Sequence, residues 1–113
     1  MNPVPLDEFE GLVADALDTL PEEFLNLLDN VVVLVEDTHP DDLLGLYDGI
    51  PHTERSDYGG LELPDRITLY RLALCDFVDD RETLEREVRV TIVHEVAHHF
   101  GIDDDRLHEL GWG

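Results

Sequence analysis

The sequence predicts an α+β fold, a small sheet backed by helices, and three observations predict it. Apolar residues recur at helical spacing through the first thirty positions. A β-branched run at residues 31–35 and an alternating stretch at residues 65–71 read as strands. A long helical pattern then runs from Asp79 or Asp80 to Phe100, where Gly101 stops it. Helices set around so few strands make a two-layer α+β domain.

Each element follows from its residues. Pro5 and Asp7 open a helix in which Phe9, Leu12, Val13, Ala16, Leu17 and Leu20 share one face. Pro21 suits a first helical position, and Phe24, Leu25, Leu27 and Leu28 form a second short helix ending near Asn30. Residues 31–35, bounded by Asn30 and Glu36, read as a buried strand. Between Thr38 and Pro64, Gly45, Gly49, Gly59 and Gly60 alternate with Pro40 and Pro51, which predicts loop with short extended pieces. The Asp41-Asp42 pair after Pro40 reads as a helix start. Residues 65–71 alternate Ile67 and Leu69 inward with Thr68 and Tyr70 outward. After the long helix a last short one spans about 103–110, and Trp112 closes the core.

At 113 residues, 42% of them apolar, the whole chain 1–113 fits one domain with one core. The balance of 28 acidic to 7 basic residues leaves a net charge of -21. That field repels nucleic acids and anionic lipid surfaces, and attracts metal ions and basic peptides. The one cysteine, Cys75, sits among Ala73, Leu74 and Phe77 and reads as a buried hydrophobe in a reducing compartment. The first ten residues carry neither a basic nor an apolar signal segment, and no stretch approaches the roughly eighteen apolar residues of a membrane span. The expected location is cytoplasmic.

The chemistry concentrates in the long helix. At 100° per residue, His94 and His98 fall within about 40° of each other, one turn apart on one face. Two imidazoles so placed converge on one metal ion, and imidazole favours zinc over magnesium or calcium. Glu95 projects beside them, a carboxylate placed to act as general base. Between Val90 and Phe100 every residue outside the motif is apolar except Thr91 and His99, so this half of the helix is expected to be buried nearly all round. A carboxylate buried there is costly unless a cation or hydrogen bonds compensate it. Left-handed backbone at Gly101 folds the chain back, bringing Asp104, His108 and Glu109 into question as the third ligand. Asp103 and Asp105 are expected to cap or to be solvated. His99 turns toward the face of Val88 and Ile92 and is expected to pack in the core or against a ligand. Tyr47, Tyr58, Tyr70 and His52 are candidate oxyanion donors.

The string His94-Glu95-x-x-His98-x-x-Gly101-x-x-Asp104 is similar to the extended metzincin motif, with aspartate in place of the third histidine. The chain also resembles the short bacterial zincin-like metallopeptidases sometimes called minimal metalloproteases. The resemblance covers roughly residues 40–111: Leu44-Gly45-Leu46-Tyr47-Asp48-Gly49-Ile50-Pro51, Leu63-Pro64-Asp65-Arg66-Ile67-Thr68-Leu69-Tyr70-Arg71, and residues 87–111. It implies a zincin-like minimal domain, with a small sheet on a long active-site helix, holding one zinc ion through His94, His98 and Asp104. It also implies hydrolysis of a peptide or small amide, with Glu95 as base and the strand at 67–71 receiving the substrate by β-augmentation. Met1 is the only methionine and nine residues follow Asp104, so neither the methionine turn nor the lower cleft wall of larger metzincins has a counterpart. That keeps two other readings open: a catalytically weak or inactive metal-binding interaction module with an acidic surface, and a hydrolase of non-peptide amides.

The purified chain, reconstituted with zinc and dialysed, is expected to retain about one equivalent by elemental analysis. His94→Ala and His98→Ala should each abolish tight binding. Retention below about a tenth of an equivalent in the unmodified chain would remove the metal site altogether.

Overall fold

Local sequence sets the first two helices, and packing then decides everything built on them. The computed structural model describes residues 1–49 and 64–109, except for the side chain of Asp104. Ile50, Pro51, His52, Tyr58, Gly59, Gly60, Leu63, Leu110 and Trp112, named above, lie outside the described residues. Helix α1 (Leu6–Asp18) buries Phe9, Leu12, Val13 and Ala16 on one stripe and carries Asp7 and Glu8 in its first turn, where they complement the helix dipole. Helix α2 (Glu22–Leu27) follows Pro21 and buries Phe24.

The sheet among the described residues has three strands, β1 (Val31–Glu36), β2 (Gly45–Asp48) and β3 (Asp65–Tyr70), in the order β1-β3-β2. β1 runs parallel to β3, from Val31 opposite Asp65 to Glu36 opposite Tyr70. β2 runs antiparallel to β3, from Gly45 opposite Leu69 to Asp48 opposite Arg66. Ile67 and Leu69 on the central strand are wholly buried.

Four expectations are corrected. β1 is an edge strand, not a buried one: it alternates half-buried Val31, Val33 and Val35 with exposed Val32 and Leu34. A β-branched run has the same composition at an edge as at a centre, and only pairing distinguishes them. Tyr70 is buried, because the strand stops there and the chain turns at once into α3 (Arg71–Phe77). Arg71 therefore opens a helix and does not end a strand. That helix, which buries Leu74 and Cys75, is too short for its apolar pattern to announce it. Asp41 and Asp42 form no helix: the amide of Asp42 donates to the carbonyl of His39 at 2.9 Å, and Asp42 is left-handed at φ 57°. A short polar side chain tolerates that conformation, so the pair makes a tight turn into β2.

Helix α4 (Arg81–His99) is the spine of the core, packing on α1, α3 and both β2 and β3. Asp80 caps it: the Thr83 amide donates to its carboxylate at 2.8 Å and holds that carboxyl below the usual range. The cap's contribution is therefore present above the ordinary carboxylate pKa and fades as acid protonates Asp80. At the other end Gly101 is left-handed at φ 75°. The Ile102 amide reaches the Ala97 carbonyl at 2.8 Å and the Gly101 amide reaches His98 at 3.3 Å, a Schellman motif. The chain reverses there and starts α5 (Asp104–Glu109), capped by Asp103, whose carboxylate accepts from the Arg106 amide at 2.8 Å. Leu107 returns to the core, wholly buried. No helix among the described residues is long and apolar enough to cross a membrane.

β2 comes so close to α4 that only glycine fits at position 45. A Cβ there would lie 2.6 Å from Cγ2 of Thr91, one turn before Glu95. Thr91 is stiff at χ1 in a helix, so strand and helix would have to part. Gly45→Ala should lower stability by about 1–3 kcal/mol in urea unfolding. Adding Thr91→Ser, which deletes Cγ2, should recover most of that loss, and no recovery would place the strain elsewhere.

Candidate metal centre

On one side of α4 the helix and β2 leave a cleft of about 380 Å³. Leu43, Leu44 and Gly45 form the strand wall, and Glu87, Val90, Thr91, His94, Glu95 and His98 form the helix wall. Helical spacing accounts for the second set, since residues 87, 91, 94 and 98 fall within about 60° of one another. Leu84 on a flank and Val88, Ile92, Val93 and Val96 beyond it are buried and clamp the helix in place.

His94 is half-buried and His98 exposed at the mouth of this cleft. Their ring centroids are 5.9 Å apart and the planes cross at 56°. Two imidazoles bound tetrahedrally to one zinc at ordinary Zn–N lengths put their centroids roughly 5 Å apart. The observed pair is a small rotamer change from that, so both fit as ligands of a single ion. Among the described residues no group of three metal-binding side chains gathers at one point. Asp104 begins α5, immediately after the reversal at Gly101, and its side chain lies outside the description. His108 is exposed, and Glu109 is exposed with its carboxylate 3.0 Å from the Arg106 guanidinium. Asp105 is exposed, and Asp103 is occupied as the cap of α5.

Glu95 is half-buried, and its Oε2 accepts the main-chain N–H of Tyr47 at 3.3 Å. Ladder geometry explains the donor. The Tyr70 amide donates to the Leu44 carbonyl at 3.0 Å, so in antiparallel alternation Gly45 and Tyr47 turn their own N–H and C=O groups away from β3. That outer edge of β2 borders the cleft. The expectation that residues 67–71 receive a substrate is thereby overturned: β3 is paired on both sides and has no free edge.

The last turn of α4 holds a second cluster. His99 is exposed and stacks on Tyr47 at 3.8 Å between centroids, with its Nε2 3.9 Å from an Asp65 oxygen. The Tyr47 hydroxyl donates to that same carboxylate oxygen at 2.8 Å. The expectation of a core position for His99 rests on the helix face it shares with Val88 and Ile92. By its final turn that face meets the end of β2 and no longer meets the core. Tyr47 spends its hydroxyl on Asp65, and Tyr70 is buried with its phenol pushed above its ordinary value, chiefly by desolvation and then by Glu36 and Asp48. Neither phenol lines the cleft. His52 and Tyr58 lie outside the described residues. Two groups at the cleft escape a motif-based reading. Glu87 sits seven residues before His94 on the same face, a spacing legible in advance. The Tyr47 amide has no sequence signal, because strand register decides where it points.

Comparison with known proteins agrees with this architecture. The chain is similar to a solved structure of a conserved hypothetical protein from Thermo thermophilus, at 27% identity and a TM-score of 0.58, covering 86% of this chain and 94% of the other. No curated protein matches it. Residues 28–112 match the zincin-like metallopeptidase family, and the chain belongs to that family.

Proposed function

We propose that the chain is a zinc-dependent hydrolase of peptide or amide bonds, acting as a single domain. The observation that carries this reading is the placement of Glu95 beside the two imidazoles and against β2, its carboxylate oriented by the Tyr47 amide. His94 and His98 hold one zinc ion with Asp104 as third ligand. Bound zinc supplies a Lewis acid for the scissile carbonyl and lowers the pKa of water. Glu95 takes the proton of the attacking water and returns it to the leaving amine. Gly45 turns its main-chain groups away from β3 at the cleft, so an extended substrate aligns along β2 there as an added strand. Cys75, buried and unpaired, supports a cytoplasmic location.

The acidic surface supports a second reading, in which the metal serves a module that engages a basic partner. Glu95→Gln separates the two. Zinc content should be unchanged, because Glu95 is not a ligand, while turnover of a broad peptide pool should fall by about 10²–10⁴-fold. Loss of zinc in Glu95→Gln would contradict its role as base. A zinc-loaded wild-type chain that cleaves nothing would favour the interaction module.

The third ligand has its own test. Asp104 lies three residues past Gly101, where the chain has just reversed, while His108 is one turn, about 5.4 Å, further along α5. Asp104→Ala should weaken zinc binding far more than Asp105→Ala or His108→Ala, measured by competition with a chromophoric chelator. An equal or larger loss at His108 would move the ligand there.

A further inference from the structure

We infer that the cleft selects substrates with a basic side chain beside the scissile bond, and that Glu87 is the residue that selects it. This rests on the peptidase reading above and names its substrate class. Among the described residues Glu87 and Glu95 are the carboxylates lining the cleft, and Glu95 is engaged by the Tyr47 amide. Glu87 lies two turns before His94 on the same helix face, about 10 Å away along the axis. It is half-buried, and among the described residues it has no ion pair or hydrogen bond. Its sequence neighbours do not neutralise it: Arg86 and Arg89 line other clefts, with Asp80 and Glu82, on the side of α4 turned away from His94.

Between Glu87 and the histidines the walls among the described residues are mostly apolar, made by Leu43, Leu44 and Val90, with Thr91 the polar side chain among them. A channel with apolar sides and a carboxylate at its far end matches a lysine or arginine, whose methylene stem packs while its head stays paired. An extended side chain of that kind reaches roughly 6–7 Å, which with the substrate backbone spans the distance from the histidines to Glu87. An apolar side chain would fit the walls but strip water from Glu87 without compensation. An acidic one would meet that carboxylate and a chain of net charge -21.

The test uses matched hexapeptides differing only in one central residue: lysine, norleucine or glutamate. Binding is followed by fluorescence anisotropy on the zinc-loaded Glu95→Gln chain, and cleavage on the zinc-loaded wild type. The lysine peptide should bind, and be cleaved, at least about tenfold better than the norleucine peptide. Glu87→Gln should bring the two within about twofold, and Glu87→Lys should favour the glutamate peptide. Zinc content and urea midpoint should stay unchanged in Glu87→Gln, because the side chain holds no partner among the described residues. Equal binding of lysine and norleucine peptides, or a preference that survives Glu87→Gln, overturns this inference. Preferential binding without any cleavage upholds it and instead overturns the peptidase reading.

Discussion

The structure depends on one helix being clamped along its length so that one of its stripes faces the cleft beside β2. Leu84, Val88, Ile92, Val93, Val96 and Ala97 are buried to within 1%. Each of the large side chains contributes about 1.5–3 kcal/mol on leaving water. This burial fixes α4 against α1 and the sheet, and so fixes its rotation. With rotation set, the stripe of Glu87, Thr91, His94 and His98 has nowhere to face but the cleft beside β2. A metal centre built on such a helix needs little reorganisation to form, since the ligands' backbone is already rigid.

The second constraint is the approach of β2. Gly45 allows the strand to lie against Thr91, and that closeness brings the Tyr47 amide within reach of Glu95. The outer groups of an edge strand ordinarily find water. Here one of them orients the candidate base. At the far side of the strand, the Tyr47 hydroxyl on Asp65 and the Tyr47 ring on His99 tie the end of β2 to the last turn of α4. Glu95, the strand that positions it and the helix end that carries His98 are thus held by one continuous set of contacts.

Charge adds direction to this geometry. With 28 acidic residues against 7 basic, the surface concentrates cations, and the cleft carries the same sign inward through Glu87 and Glu95. A field of that sign attracts cations of any kind.

The helices other than α3, their caps and the two imidazoles one turn apart were legible in the sequence, because they rest on local rules. Helical periodicity puts His94 and His98 on one face whatever surrounds them, Asp80 caps through its own third neighbour, and Gly101 alone adopts its left-handed backbone without strain. Strand roles were not legible. Whether residues 31–36 or 65–70 lie at the edge depends on which strands pair, and that is decided by contacts far apart in the chain. The same holds for Tyr70 going inward, for His99 meeting Tyr47, and for an amide of β2 reaching Glu95. Sequence alone determined which side chains share a helix face; only the tertiary structure decided what that face confronts, because register and packing join residues that no local period relates.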